Sequence, residues 1–288
     1  SQQRLDRLEP LIIRCILDDD RVTIEIEDHG GGFDPDGLDP LPAVTDPSRL
    51  ERERGLGIPL VRGMADDVQF LVKDDGTLLV PQYYCPPEMR GTGALARSTS
   101  TVVHCAFDGT QLTYLEHGDE LALDVPRGCD EPSLVLFQGR YYLTIRNDEK
   151  GYVTAGDDGL HFAPLTPWTF DDGAELGSYN TQQHWLAHGD GLFLVYTRRG
   201  ANNDHIFRHR APLFIAQVDP GRLCVIRATE RVLVPERGAT LGNFGAGPIT
   251  PGESWVTVGE GMFFPEVYTK GGATGAVFVA RILWRPGA

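Results

Sequence analysis

A short pattern of turn and strand recurs along most of the chain. It begins at Gly76, Gly139, Gly191 and Glu253, so the repeats start roughly 50 to 65 residues apart. After each turn comes a run of β-branched, aromatic and aliphatic residues, which favours a strand over a helix. Another strand-like run, at 275–284, follows the last repeat. Because the repeat is slightly longer than one four-stranded blade, it predicts a β-propeller with long connecting loops.

The composition agrees with this mainly β fold class. The 288 residues include 34 glycines and 20 prolines, which favours many turns between short strands. A hydrophobic fraction of 41% is sufficient to bury a core. A complete propeller would begin earlier in the chain, so we expect a partial propeller of four to five blades at 76–288. The strand at 275–284 is in a position to close a ring.

Charge and cysteine content exclude several classes of partner. A net charge of −15 repels phosphate backbones, so we expect no nucleic acid partner. We expect no membrane partner either, because no apolar run reaches the roughly 18 residues of a spanning helix. The N-terminal residues show no apolar signal region, which favours a cytoplasmic protein, with a chain already trimmed of its signal as the alternative. The five cysteines include no Cys-x-x-Cys pair, which predicts no metal site, and their odd number favours free thiols.

The first 75 residues begin with a second kind of pattern. Residues 11–17 are apolar and β-prone, residues 18–21 are polar, and residues 22–27 alternate apolar and acidic side chains. Such an arrangement predicts a β-hairpin with one buried face.

Glycines flank a polar segment after this hairpin. Three glycines follow Asp28 and permit a ligand to approach the backbone closely. Residues 34–54 are rich in Pro, Asp and Arg and predict a flexible lid. After Gly57, apolar residues at helical spacing predict a helix whose first amides can bind an anion.

These residues resemble the GHKL-type ATPase fold, specifically the bacterial anti-sigma-factor serine kinases that are similar to histidine-kinase catalytic domains. The resemblance implies a small truncated α/β domain at 1–75. It implies that Asp28 hydrogen-bonds the adenine amino group. It implies that Gly30 and Gly32 form the first glycine box, and that Gly55 and Gly57 form the second, whose amides hold phosphate.

Under this resemblance the implied cofactor is ATP with magnesium, and the implied partner is a sigma factor or an anti-anti-sigma protein. The family carries an Asn that holds magnesium and a Glu that polarises the attacking hydroxyl, both on a helix before the hairpin. Residues 1–10 contain no Asn, so we expect no phosphoryl transfer. Nucleotide binding without catalysis and an α/β segment without any ligand remain as alternatives.

The remaining residues, 76–288, carry motifs that are typical of a second family. Residues 155–162 have the form of a degenerate Asp-box, a hairpin turn in which an Asp side chain caps amides above a packed aromatic residue. Further stretches at 130–134, 139–143, 168–173 and 197–205 resemble bacterial sialidase-like β-propeller proteins, with looser similarity to other bladed glycoside hydrolases.

This resemblance implies a central funnel that holds a carbohydrate substrate or ligand and needs no cofactor. Sialidases hold the substrate carboxylate with three arginines, and they use a Tyr–Glu pair as the nucleophile and an Asp as the acid/base. Hydrolysis needs two carboxyl groups across the glycosidic bond, or a tyrosine in place of one. Glu131 and Asp204 are the candidate carboxyl groups and Tyr179 is the candidate nucleophile, with a structural role as the alternative for each.

Two polar stretches supply candidate sugar contacts. Residues 178–184 offer hydroxyl, amide and imidazole groups, and residues 198–210 form a basic patch that can hold a sugar carboxylate or pair with surface acids. The candidate substrate-binding residues are Asn180, Gln182, Gln183, His184, Arg198, Arg199, Asn202, Asn203, Arg208, His209 and Asn243.

Three functions are compatible with the sequence. The first is a sialidase-like glycoside hydrolase that acts on a glycan by acid/base catalysis in the funnel. The second is a propeller that binds a glycan without catalysis. The third is an ATP-binding regulator of the anti-sigma-factor type. The join near Asp74-Asp75-Gly76 is compatible with recombination, a gene-model error or an engineered fusion.

Overall fold

The computed structural model describes residues 12–18, 21–27, 77–89, 97–107 and 112–284, with the backbone alone for 12–27. The chain divides into two compact units. One comprises Ser1–Leu79 and His104–Glu116, and the other comprises Val80–Val103 and His117–Ala288.

The predicted N-terminal hairpin is present. Strand β1 (Ile12–Asp18) pairs antiparallel with β2 (Arg21–Glu27), with Asp18 opposite Arg21 at the turn. The antiparallel pairing confirms that the apolar and alternating runs form a hairpin. The nucleotide-binding candidates, the predicted lid and the predicted helix lie outside the described residues, and they concern Asp28, Gly30, Gly32, Gly55 and Gly57.

Four sheets form the blades of a β-propeller, which confirms the predicted mainly β fold. The first sheet contains β3 (Thr77–Tyr84), β4 (Arg97–Phe107), β5 (Leu112–His117) and β6 (Arg127–Gly128). The second contains β7 (Asp130–Phe137), β8 (Arg140–Arg146), β9 (Tyr152–Gly156) and β10 (Thr166–Pro167). The third contains β11 (His184–His188), β12 (Gly191–Tyr196), β13 (Leu213–Asp219), β14 (Cys224–Val225) and β15 (Arg231–Val234). The fourth contains β16 (Phe244–Thr250), β17 (Glu253–Gly259) and β18 (Val277–Leu283).

The strand cores that recur in the sequence fall on β3, β8, β12 and β17. In β17 buried and exposed side chains alternate with the period of two of a strand, and Ser254, Val256 and Val258 are buried. In β8 the last five residues are all buried. The predicted strand at 275–284 is β18, which pairs antiparallel with β17 as the outer strand of the fourth blade.

The inner strands β7, β11 and β16 pack side by side, and each blade then extends outward through antiparallel neighbours. One core cluster lies between the second and third blades and contains the buried rings of Trp168 and Trp185, whose centroids are 5.6 Å apart. A second cluster lies between the third and fourth blades and includes Leu213 and Val256. Burial of this apolar surface holds the blades together at about 25 cal/mol per Å².

A buried polar chain crosses the first of these clusters. The indole of Trp168 donates to the hydroxyl of Thr144 at 2.9 Å, and that hydroxyl donates to the amide oxygen of Gln183 at 2.6 Å. Because all three side chains are almost fully buried, their polar atoms depend on one another for hydrogen bonds.

Turns and short helices connect the strands. After β9, the Asp158 carboxylate accepts hydrogen bonds from the amides of Leu160 and His161 at 2.8 and 2.7 Å, and Gly159 has a φ of 82°. The bonds from His161 and Leu160 lower the pKa of Asp158 to about 2. The described part of the chain contains one α-helix, α1 (Pro265–Tyr268). No helix within the described residues is long and apolar enough to cross a membrane.

Candidate functional site

The starts of three inner strands converge at one end of the blades. The imidazole of His184, at the start of β11, lies 3.4 Å from the Ser133 hydroxyl of β7 and edge-on to the Phe244 ring of β16, with centroids 5.2 Å apart. The loops at this end meet through a chain of contacts that runs from Glu131 through Arg146, Asn180 and Arg210 to Gly242. We call the region around these residues the funnel.

An arginine–carboxylate cluster occupies the β7 side of the funnel. Arg146, the last residue of β8, donates to Glu131 at 2.7 Å and to Asp148 at 3.1 Å. It also donates to the Asn180 side chain at 3.3 Å. Arg127 pairs with Asp130 at 2.8 Å on the same side. The Arg146 side chain is only 5% exposed, so its charge is held almost entirely by these partners.

Two loops are bonded side by side at the funnel. The Tyr179 hydroxyl lies 2.5 Å from Nδ1 of His209, and the next residues along each loop also meet, since Arg210 donates to the backbone and side-chain oxygens of Asn180. The loop before β11 and the loop before β13 are thereby joined at two consecutive positions. Through Asn180 they are also joined to Arg146.

The Tyr179–His209 pair continues to a third group. Nε2 of His209 lies 3.3 Å from the Asp204 carboxylate, which is 95% exposed. With the ring hydrogen on Nε2, Tyr179 donates to Nδ1 and Nε2 donates to Asp204. A hydroxyl, a base and an orienting carboxylate in this order are the arrangement that activates a nucleophile.

Arginines surround the Tyr179 phenol. The Arg199 guanidinium lies 4.8 Å from the centre of the ring. Burial raises the pKa of Tyr179, and the charges of Arg199, Arg208 and Arg210 act in the opposite direction. The pKa of Arg210 is lowered to about 10, chiefly by burial and then by repulsion from Arg146 and Arg208.

Gly242, two residues before β16, leaves space for Arg210. A Cβ at this position would overlap Cδ of Arg210, and the Gly242 carbonyl accepts a hydrogen bond from the Thr181 hydroxyl. The fourth blade therefore fixes both loops of the third.

Backbone strain concentrates at the same place. Non-glycine residues with positive φ are uncommon, and here they include Glu131 at 42°, Asn180 at 61° and His209 at 54°. Buried polar atoms without a hydrogen-bond partner include Oε2 of Glu131, Oδ1 of Asp130 and Nε of Arg146. Strain and unsatisfied polar groups together are typical of functional sites rather than of structural cores.

Two of the predicted sugar-binding side chains are buried and form hydrogen bonds inside the protein. Gln183 is 1% exposed and accepts from Thr144. Asn203 is fully buried, and its amide donates to the carbonyls of Arg198 at 2.9 Å and Ala211 at 2.7 Å. Both side chains shape the loops that carry the candidate groups.

The arginines of the predicted basic patch differ in their contacts, since two form ion pairs and a third lies over an aromatic ring. Arg198 forms a two-pronged ion pair with Glu230, at 2.8 and 2.7 Å, and Arg199 pairs with Glu175 at 2.7 Å. These two, with Arg227, line a cavity of about 330 Å³ beside the loops. Arg208 is exposed and lies over the Phe207 ring.

The other predicted contacts lie around the funnel with different exposure. Burial lowers the pKa of His184 to about 4, so this ring is neutral at pH 7. Gln182 is half-buried and bonds to Thr181 at 3.1 Å. Asn202 and Asn243 are exposed.

Several residues of the site were not among the predicted site residues. Arg146 ends the buried strand β8 and Asp148 comes two residues later, and a charged run at such a strand end is a signal that the sequence contained. Arg210 belongs to the predicted basic stretch, but its packing against Gly242 is a long-range contact. Tyr83 lies at the same side, and burial, with Asp130 and Glu131 next in size, raises its pKa.

Residues 3–80 match the histidine kinase-like ATPase domain family, which confirms the predicted resemblance of the N-terminal segment to such domains. No curated protein matches the chain in sequence. A crystal structure of a protein of unknown function from Dyadobacter fermentans is similar, with a TM-score of 0.52 and 14% identity over 75% of this chain. The chain spans 52% of that protein, and the similarity shows the fold alone.

Propeller enzymes also appear among the similar structures, with lower scores. The GH32 β-fructofuranosidase of Bombyx mori gives a TM-score of 0.46 at 13% identity, covering 70% of this chain and 44% of the enzyme. A Trypanosoma rangeli sialidase gives 0.43 at 13% identity, covering 73% of this chain and 30% of the enzyme.

Proposed function

We propose that this protein is a sialidase-like glycoside hydrolase whose reaction takes place in the funnel. The observation that carries the proposal is the Tyr179–His209–Asp204 chain, joined through Asn180 to the Glu131–Arg146 pair. These groups include a tyrosine and two carboxyl groups, which are the elements that glycoside hydrolysis requires.

The first step breaks the glycosidic bond. The Tyr179 hydroxyl transfers its proton to Nδ1 of His209, and its oxygen forms a bond to the anomeric carbon. The bond from the anomeric carbon to the leaving oxygen breaks, and the His209 imidazolium donates its proton to that oxygen. The Glu131 carboxylate, which is ion-paired with Arg146, stabilises the positive charge that develops on the sugar. Asp204 stabilises the imidazolium that forms.

The second step restores the enzyme. His209, neutral again, takes a proton from water, and the water oxygen bonds to the anomeric carbon. The Tyr179 oxygen leaves and recovers its proton from His209. Two displacements at one carbon retain its configuration, so the proposal includes a retaining outcome.

The arginines favour an acidic sugar. Arg199, Arg208 and Arg210 each lower the pKa of Tyr179, so they stabilise the phenolate. The exposed Arg208 is the guanidinium best placed to meet a ligand carboxylate, because Arg199 already pairs with Glu175. A sialoside is thus the first substrate to test.

The test is hydrolysis of fluorogenic glycosides, including a sialoside, by the full-length protein. We expect turnover of the sialoside, and a loss of about 100-fold or more in kcat for Glu131→Gln and for Asp204→Asn. Asp157→Asn is a matched control for Asp204, because Asp157 is also more than nine-tenths exposed and also lies 3.3 Å from a basic partner, Arg140.

Three results separate the alternatives. Loss of turnover in both variants, with the control active, supports the hydrolase. Sugar binding without turnover by the folded wild type supports a glycan-binding propeller instead. If the folded protein neither binds nor turns over any sugar, both the hydrolase and the glycan-binding propeller are contradicted.

We infer a second function for residues 1–75, nucleotide binding, and the match of residues 3–80 to histidine kinase-like ATPase domains favours it. In this function Asp28 would hydrogen-bond the adenine, and the glycines of the two boxes would bind the phosphates. ATP with magnesium is the cofactor to test, and a sigma factor or anti-anti-sigma protein is the partner to test.

Binding of a fluorescent ADP analogue measures this second function. We expect Asp28→Asn to abolish binding, whereas Asp36→Asn, a carboxylate in the following segment, leaves it intact. Equal binding by both variants contradicts an adenine-recognition role for Asp28.

A further inference from the structure

Three phenylalanine rings lie exposed in one cluster beside the funnel. Phe207 is 39% exposed, Phe263 44% and Phe264 45%. The Phe207 centroid lies 6.1 Å from that of Phe263 and 5.5 Å from that of Phe264. We call these three residues the aromatic platform. Grouped exposed aromatic rings are unusual on a protein surface and mark binding sites.

The three rings of the platform are exposed, and other residues hold the loop that carries two of them. Tyr268 is buried and edge-on to Phe264, with centroids 5.8 Å apart. The Glu260 carboxylate accepts from the amides of Thr274 and Ala276 at 2.8 and 3.0 Å, which fixes both ends of the loop that carries Phe263 and Phe264. The loop is thus ordered while its rings stay in solvent.

The platform is continuous with the funnel. Phe207 and His209 belong to the same short 3-10 turn, and His209 is the residue that contacts Tyr179. Arg208 lies between them, with its guanidinium carbon 5.1 Å from the centre of the Phe207 ring. The other half of the platform follows Gly261, whose amide bonds to the Thr240 carbonyl, two residues before Gly242.

We propose that the aromatic platform binds sugar units beyond the one that is cleaved, so that the substrate is an oligosaccharide or a glycan chain. This proposal rests on the proposed function. One face of a pyranose ring presents C–H groups, which pack against the electron-rich face of an aromatic ring. Sugar hydroxyls at the rim can accept hydrogen bonds from Arg208.

Chain-length dependence tests the proposal. Binding and kcat/KM are measured with a matched series of one, two and three sugar units that share the same terminal sugar. We expect the wild type to prefer the longer members about 10-fold. Phe263→Ala with Phe264→Ala, and Phe207→Ala, remove this preference. Tyr114→Ala is the matched control, since Tyr114 is an exposed ring (59%) outside the platform.

Leucine variants keep the test valid if an alanine variant does not fold. Phe263→Leu and Phe264→Leu retain apolar bulk but lack the aromatic face, so we expect them to lose the preference too. Retention of the preference in the leucine variants overturns stacking on the rings.

Other outcomes overturn the proposal in distinguishable ways. If the shortest member is turned over and longer members are not preferred, the platform does not bind sugar, but the proposed hydrolase function stands. If no glycan binds, both the platform proposal and the proposed function are contradicted. A wild-type dimer that the Phe207→Ala variant dissociates assigns the rings to a protein interface.

Discussion

At the scale of single residues, two asparagines form hydrogen bonds that hold the loops of the site in place. Asn180 adopts a φ of 61° and connects Arg146 with Arg210, so it joins two blades. Asn203 connects the two ends of its own loop through three donated bonds. An amide can donate and accept without charge, which suits a buried position.

Replacement of Asn203 by Asp should destabilise the protein. The new carboxylate would face carbonyl oxygens that the amide now donates to, and we expect a loss of about 2–3 kcal/mol in the free energy of unfolding. Asn202→Asp adds the same charge at an exposed neighbour and is the control. Urea unfolding measures both, and an equal effect of the two changes would contradict the role of Asn203.

His184 should make stability depend on pH. Its folded pKa of about 4 lies below its ordinary value of 6.5 because of burial. Between these values the unfolded chain binds more protons, so stability is complete above pH 6.5 and falls as pH decreases toward 4, by up to about 3 kcal/mol. In urea titrations at pH 7 and pH 4.5, His184→Gln should show a smaller loss than the wild type. The same loss in both proteins would argue against a neutral, buried His184.

At the scale of elements, loops rather than strands determine the site. The strands supply a frame in which the loop before β11 and the loop before β13 lie side by side, and contacts from the neighbouring blades hold them. Gly242 is the clearest of these contacts, since its missing side chain is what admits Arg210.

Gly242→Ala should therefore disturb the funnel without adding charge. The Cβ would displace Arg210 and weaken its bonds to Asn180. We expect about 1–3 kcal/mol lower stability and about a 10-fold lower kcat/KM. Gly247→Ala is the matched control, because a Cβ there meets nothing within 4 Å. Thermal unfolding and sialoside hydrolysis measure both, and parallel results for the two variants would contradict the packing role of Gly242.

Local patterns predicted the strands, and long-range contacts decided the site. The turn and the β-branched and aromatic residues that follow it in 139–146 and 253–259 were sufficient to predict β8 and β17, because strand propensity is a property of neighbouring residues. The meeting of Tyr179 with His209 depends on the pairing of β11, β12 and β13. No periodicity in the sequence encodes that pairing, so both residues were identified but their contact was not.

At the scale of the whole molecule, the chain combines two kinds of protein. Residues 3–80 match an ATPase domain family, and the four blades form a propeller. Within the larger unit, the two core clusters share the third blade, so the three inner strands that meet at the funnel are held by one continuous interior. The propeller thereby provides a rigid support for groups on its loops.

The most direct test is to locate the glycosyl–enzyme bond that the account requires. A fluorinated sialosyl fluoride, which forms the intermediate readily and releases it slowly, is incubated with the full-length protein, and the labelled peptide is identified by mass spectrometry. We expect one added sugar on Tyr179 and none in Tyr179→Phe, while Tyr268→Phe is labelled as in the wild type. Turnover of the sialoside with the label on another residue, or with full activity in Tyr179→Phe, would contradict the proposed mechanism.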